Sequence, residues 1–278
     1  EFRRVLFRSA GAGWRKALPG AAAVELLHNF SLIHDDIEDN SPLRRGRETL
    51  WTIWGVPQAI NAGDTLFSLA QATLLDLETT ASPASALQAA RVFQETCLRL
   101  TQGQFLDISY EGRSDLSVED YWPMVSGKTA ALISACTRIG ALVAECPQPI
   151  LEAYSDYGRF LGLAYQVQDD WLGIWGEPAE TGKSAASDLV SGKKSLPVLY
   201  GLSRQGAFAE RWWRGSIQPE ETAALAEQLR QEGGYEYTLD AANDLTRQAL
   251  EALEKSRPQG EAGQALIALT NRLLRRNS

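Results

Sequence analysis

The chain has 278 residues, enough to bury a sizeable core as one large domain or two ordinary ones. Its 44% hydrophobic and 22% charged residues are those of a soluble globular protein, and its net charge of -8 disfavours nucleic acid and anionic membrane as partners. No apolar run reaches the roughly 18 residues that cross a bilayer, so no transmembrane segment is expected.

Residues 1–9, Glu1-Phe2-Arg3-Arg4-Val5-Leu6-Phe7-Arg8-Ser9, lack the apolar core of a secretory signal and read as a translated sequencing adapter. They are taken as a non-native leader, with one domain over 10–278. The only methionine is Met124, so the natural N-terminus is expected to lie upstream. Apolar residues at Val24 and Leu27, with Ser31 on the same stripe, predict a helix over 21–37, and Pro42 ends it. Pro57 opens a second helix through Leu77, with Leu66, Leu69, Thr73 and Leu77 on one face. Further helices are predicted over 84–110, 118–125, 127–145, 148–175, 195–204, 218–232, 235–256 and 261–275. Residues 112–117, 147–149, 176–182 and 257–263 read as loops. No alternating strand and no strand-flanked hairpin turn is found. The prediction is an all-α single domain. Cys97, Cys136 and Cys146 are odd in number and lack paired metal-ligand spacing, so they read as free thiols of a reducing, cytoplasmic compartment.

Two acidic clusters carry the chemistry. Asp35-Asp36-Ile37-Glu38-Asp39 sets Asp35 and Asp39 one helical turn apart on one face, with Asp36 flanking them. Such oxygen-only donors suit Mg²⁺, which draws its other ligands from water and substrate phosphates. A solvated helix C-terminus is the bland alternative, but negative charge there opposes the macrodipole. Arg44-Arg45-Gly46-Arg47 follows, and arginine forks bind phosphate bidentately. The second cluster, Asp169-Asp170, ends an apolar helical stretch and is followed by Lys183, Asp188, Lys193 and Lys194. Paired aspartates in such a setting need cations or metal. Lys128-Thr129 precedes an apolar helix and reads as an ammonium and a hydroxyl at a helix start. His28 lies two turns before Asp35 on the same face. Carboxylates for metal beside fixed cations point to a diphosphate.

The ordered set resembles the trans-isoprenyl diphosphate synthases, or polyprenyl synthetases, and among them the short-chain bacterial geranylgeranyl diphosphate synthases. Val24-Glu25-Leu26-Leu27-His28 through His34-Asp35-Asp36-Ile37-Glu38-Asp39 resembles that family's first aspartate-rich motif, and Leu43-Arg44-Arg45-Gly46-Arg47 its basic loop. Gly63-Asp64, Gly103-Gln104 with Asp107, Lys128-Thr129-Ala130, Gln166 to Asp170, Gly182-Lys183, Ser187-Asp188-Leu189 and Gly192 to Pro197 continue the match from about residue 17 onwards. The resemblance implies a helical bundle around a central cavity, a homodimer, and head-to-tail condensation of isopentenyl diphosphate with an allylic diphosphate. It implies three Mg²⁺ ions on Asp35, Asp39 and Asp169, supported by Asp36, Asp170 and Asp188. It gives the allylic diphosphate to Arg44, Lys128, Lys183 and Lys193, and isopentenyl diphosphate to Arg45 and His28. Thr129 and Gln166 face the carbocation. Phe30, about 7.5 Å along the helix axis from Asp35, forms a cavity floor, with room left by Ser31. In the family one aromatic there, without a second beside it, favours geranylgeranyl over farnesyl diphosphate.

Two departures stand out. The family's isopentenyl site uses a Gly-Lys-x-x-Arg segment, and nothing before Ala17 matches it, so the chain is expected to lack the first helices. Gly173 stands where the second motif often carries a third aspartate. Asp169-Asp170-x-x-Gly173-x-x-x-Glu177 also approximates a class I terpene cyclase motif, which leaves a cyclase as the alternative. A catalytically silent partner subunit is the non-enzyme alternative.

Overall fold

A computed structural model describes Ala10, residues 13–176 and residues 186–274. The helices are α1 (Leu18–Glu38), α2 (Leu50–Trp54), α3 (Val56–Leu75), α4 (Pro83–Glu111), α5 (Val118–Val125), α6 (Ala131–Val143), α7 (Gln148–Trp175), α8 (Ser187–Val190), α9 (Leu196–Ser203), α10 (Ala207–Trp212), α11 (Thr222–Gln231), α12 (Gly234–Lys255) and α13 (Gly260–Leu274). The fold is all-α, as the periodicity predicts. Helices α2, α8 and α10 are absent from the sequence prediction because each is too short to show a period.

A β element among the described residues corrects the expectation of no hairpin. Strands β1 (Leu43–Arg44) and β2 (Arg47–Glu48) pair antiparallel, Leu43 opposite Glu48 and Arg44 opposite Arg47. Arg45 at φ 52° and Gly46 at φ 75° form a two-residue turn with both central residues left-handed. That geometry matches the right-handed twist of the flanking strands. Two-residue strands leave no alternation to read.

Backbone packing divides the chain into two compact units. The first comprises residues up to Gln94, Cys136–Leu151 and Arg257–Leu266. In it α1 packs along α3. Buried Gly20, Ala23, Val24 and Leu27 recur at spacings of three and four, so they make one stripe on α1. A side chain at Gly20 would lie 3.1 Å from Ile139, which explains the small residue at this crossing. Ala59, Ala70, Leu74 and Leu77 join this core, together with Ala89, Phe93, Ile139, Leu142 and Leu266.

The second unit comprises Glu95–Ala135, Glu152–Ser256 and the chain from Ile267. Helix α7 buries Tyr154, Tyr157, Leu161, Ala164 and Val167, again at helical spacing. Each fully buried leucine of this kind contributes about 1.5–3 kcal/mol. The Tyr157 hydroxyl, which burial would leave unsatisfied, lies 2.6 Å from Thr270 Oγ1. A second apolar nucleus gathers Ile174, Leu189, Val198, Phe208, Ile217, Leu225 and Leu229. It supports the end of α7, where Asp169 and Asp170 lie.

Candidate active site

In the first unit α1 ends at Glu38, and Asp39 caps it with its N–H on the Asp35 carbonyl at 2.8 Å. The hairpin that follows is tied at its base: the Thr49 hydroxyl and the Trp51 indole N–H both donate to the Ser41 carbonyl at 2.9 Å. Its tight turn folds Arg44 back onto the helix end. Arg44 Nε donates to Asp36 Oδ1 at 2.7 Å and Nη2 to Asp35 Oδ2 at 3.1 Å. One guanidinium thus bridges two adjacent carboxylates that would otherwise repel. Asp36 is buried, whereas Asp39 and Arg45 are exposed.

Phe30 lies on the same helix and is half-buried. It is not a solitary ring: Phe67 of α3 lies 5.0 Å away and His34 4.7 Å away, both at tilted or edge angles. Ser31 turns its hydroxyl onto the His28 carbonyl at 2.8 Å and projects no bulk beside Phe30. His28 itself is half-buried.

In the second unit the adjacent aspartates have different surroundings. Asp170 is 1% exposed and accepts four hydrogen bonds. Tyr121 Oη donates to Oδ2 at 2.7 Å and the Leu196 N–H at 3.3 Å, while Lys193 Nζ donates to Oδ1 at 2.8 Å and Gln166 Nε2 at 3.1 Å. Asp169 is half-buried, and its carboxylate has no hydrogen-bond or ion-pair partner among the described residues. Burial first, then the Asp170 charge, hold the Tyr121 phenol well above its usual range, so it remains a donor. Burial pulls the Lys193 ammonium down, but the Asp170 and Asp188 carboxylates outweigh it, so its pKa is raised. Asp188 is buried, with Oδ2 3.5 Å from Lys193 Nζ. Lys194 points elsewhere, donating to the Tyr110 and Glu111 carbonyls that end α4. Lys183 lies outside the described residues.

Lys128 and Thr129 do not open a helix, contrary to the expectation. They lie in a π-helical turn, Ser126–Ala130, that joins α5 to α6 without a break. Such turns insert one extra residue and redirect side chains, and they recur at functional sites. Here the turn crosses α4 at close range. A side chain at Gly103 would collide with the Lys128 backbone nitrogen, and one at Gly127 would lie 2.7 Å from the Arg99 carbonyl oxygen. The crossing pairs Lys128 Nζ with Asp107 Oδ2. Thr129 Oγ1 donates to Gln166 Oε1 at 2.8 Å, which fixes the Gln166 amide so that its nitrogen faces Asp170. Gly103→Ala is expected to lower stability by about 1–3 kcal/mol, as overpacking does, measured by urea denaturation. An unchanged midpoint counts against the crossing as drawn.

Tyr121 was not singled out from the sequence. Nothing local marks it, since its partner is 49 residues away. Asp107 stood in a matched motif, but its pairing with Lys128 is visible only in the folded chain.

No group of three histidine, cysteine, aspartate or glutamate side chains forms a metal cage among the described residues. Mg²⁺ commonly binds through one or two protein carboxylates and fills its octahedron with water and phosphate oxygens. The donor set at both clusters is oxygen only.

Fold and clusters together define an all-α protein in which carboxylates are set against fixed cations, an arrangement suited to a divalent cation and a polyanion. The family model for polyprenyl synthetase matches residues 5–230. The (2E,6E)-farnesyl diphosphate synthase of Mycobacterium tuberculosis is 40% identical over 259 residues, 90% of this chain and 71% of that protein. The geranylgeranyl diphosphate synthase of the same organism is 40% identical over 265 residues, 94% of this chain and 74% of that protein. A solved geranylgeranyl pyrophosphate synthase of Corynebacterium glutamicum, complexed with isoprenyl diphosphate and magnesium, aligns with TM-score 0.88 at 28% identity over 99% of this chain and 85% of its own. The chain belongs to the polyprenyl synthetase family.

Proposed function

We propose that the chain is a prenyltransferase that condenses isopentenyl diphosphate head to tail with an allylic diphosphate, giving a short-chain prenyl diphosphate. The observation that carries this reading is the division of labour at Asp169 and Asp170. One carboxylate is saturated by Tyr121, Gln166, Lys193 and a backbone N–H, and the other makes no hydrogen bond or close ion pair among the described residues and feels Lys193 only at longer range. An unpaired carboxylate beside a fixed ammonium suits a metal–diphosphate complex.

Asp35, Asp39 and Asp169 would hold Mg²⁺, three ions by family resemblance, with Asp36, Asp170 and Asp188 supporting. Bound Mg²⁺ neutralises the diphosphate and makes it a better leaving group. Arg44, Lys128 and Lys193, with Lys183, hold the allylic diphosphate through charge-assisted hydrogen bonds. His28 and Arg45 hold isopentenyl diphosphate. As the allylic C–O bond breaks, the electron pair goes to the departing diphosphate, whose growing charge the fixed ammonium groups stabilise. The Thr129 hydroxyl and the Gln166 amide, locked to each other, present oxygen dipoles to the carbocation. The alkene of isopentenyl diphosphate attacks that cation, and an oxygen of the released diphosphate takes the proton lost from the new carbon skeleton.

Geranylgeranyl diphosphate is the favoured product, because Phe30 blocks the path while Ser31 leaves room beside it. The Phe67 ring against Phe30 supports farnesyl diphosphate as the second reading. A homodimer is supported by exposed Ile53, Trp54, Val56, Ile60 and Leu69, next to an open cavity of about 530 Å³ lined by Trp54, Gln58, Asn61, Ala62 and Thr65. No helix among the described residues is long and apolar enough to cross a membrane. A cytoplasmic setting accords with the free cysteines.

The test is incubation with isopentenyl diphosphate, Mg²⁺ and each allylic primer, with mass-spectrometric analysis of products. A linear prenyl diphosphate is expected, and chelation of Mg²⁺ should reduce turnover to background. Cyclic hydrocarbon from geranylgeranyl diphosphate alone would establish a cyclase. Failure to bind Mg²⁺ and diphosphate at all would favour the silent-subunit alternative.

A further inference from the structure

Gly173 sits near the end of α7, is buried, and has no positive φ that would call for glycine. Glycine is the worst helix former after proline, so its presence in a helix asks for a spatial reason. The reason is a carboxylate. A Cβ at 173 would lie 2.5 Å from both Cγ and Oδ2 of Asp188 and 2.7 Å from Oδ1. Asp188 has little room to retreat. It is 6% exposed and lies in the single turn of α8, which Ala186 opens in a left-handed conformation at φ 51°. The Lys193 N–H returns to the Asp188 carbonyl at 3.0 Å and closes the loop.

We propose that Gly173 is a positioning residue: the space left by its missing side chain seats the Asp188 carboxylate, which together with Asp170 brackets the Lys193 ammonium. The proposal rests on the reading of Lys193 as a diphosphate ligand. The bracket is visible in the distances, 2.8 Å from Lys193 Nζ to Asp170 Oδ1 and 3.5 Å to Asp188 Oδ2. Asp170 cannot follow a shift of the ammonium, because Tyr121, Gln166 and the Leu196 N–H hold it. A methyl group at 173 therefore evicts Asp188, and Lys193 falls back onto Asp170 alone. The acidic character of the site then comes from two chain segments: the Asp169–Asp170 pair on α7, and Asp188 from the loop, admitted by the glycine one turn further along.

The test is a double-substitution cycle read by thermal denaturation, by calorimetric titration with inorganic diphosphate and Mg²⁺, and by steady-state kinetics. In the unaltered background Gly173→Ala should lower Tm. In an Asp188→Ala background, where Cγ and both oxygens are gone, the same change should raise Tm by about 2 °C, because the helix-propensity gain is then unopposed. Gly173→Ala should also weaken diphosphate binding as much as Lys193→Ala does, with no further loss in the double variant. It should reduce kcat by roughly 100-fold, the scale of a displacement of about 1 Å at a catalytic group. A Tm change of the same sign in both backgrounds overturns the proposal, as does unchanged diphosphate binding by Gly173→Ala. If Gly173→Ala does not fold alone, recovery of a folded chain on adding Asp188→Ala supports the seat, and failure of the double variant to fold overturns it. The Tm sign reversal judges the seat even if the chain makes no prenyl diphosphate, so failure of the activity reading is distinguishable.

Discussion

Asp170→Ala is expected to destabilise the protein by about 3 kcal/mol, whereas Asp169→Ala next to it should leave stability within about 0.5 kcal/mol and lower kcat by roughly 1,000-fold. The two side chains differ by one residue and by everything around them. Asp170 is 1% exposed and is the common acceptor for a buried phenol, an amide, an ammonium and a backbone N–H. Its removal leaves all four donors without their acceptor at once. The expected loss is at the lower end of the range for breaking a buried pair, since the Lys193 side chain keeps 38% of its surface in solvent. Asp169 makes no hydrogen bond or close ion pair among the described residues, only a longer-range attraction to Lys193, so its removal strands no buried donor. On the proposed function, its loss would be felt only when a metal and a diphosphate are to be held. Urea denaturation of both variants beside single-turnover kinetics separates the roles. Equal destabilisation by the two substitutions would contradict the assignment.

Phe30→Ala and Phe67→Ala are each expected to shift the product to a longer chain by at least one five-carbon unit. Phe30 stands about 7.5 Å up the helix axis from Asp35, the distance at which a growing prenyl tail would reach it. Its ring is braced by Phe67 at 5.0 Å and by His34 at 4.7 Å, so the obstruction is a small aromatic cluster and not one side chain free to swing away. If the cluster acts as a unit, removing either ring opens the floor, and the double variant adds little to the better single one. Mass spectrometry of the dephosphorylated products reads the outcome. An unchanged product length in both variants counts against the cluster as the floor. A farnesyl product from the unaltered chain would show that the Phe67 brace outweighs the room left by Ser31.

Much of the fold is legible in the sequence because helical burial repeats locally. The apolar period through Val24 and Leu27 and the helical pattern over 148–175 are visible before any packing is known, and the structure extends the first stripe to Gly20 and Ala23. The hairpin was missed because two-residue strands carry no period, and because Arg45-Gly46 is not a usual dipeptide for a turn with both central residues left-handed. The π-helical turn was missed for a related reason. It lies where Gly103 and Gly127 cross at close range, and neither glycine announces the other.

The candidate site divides along the same line. The sequence by itself determined which residue types are available: two acidic clusters, a basic loop after the first, and Lys128, Lys193 and their neighbours in a recognisable order. Those are local facts, since one turn of helix already sets Asp35 and Asp39 on one face. Tertiary structure alone decided which carboxylate is saturated and which makes no close bond among the described residues. Tyr121 and Lys193 reach Asp170 across 49 and 23 residues of chain. It likewise braced Phe30 with Phe67 and gave Gly173 its purpose, the seat of a carboxylate. Hydrogen bonds and steric exclusion act over about 3–4 Å in space whatever the separation along the chain. The roles of these residues therefore exist only once the helices have packed.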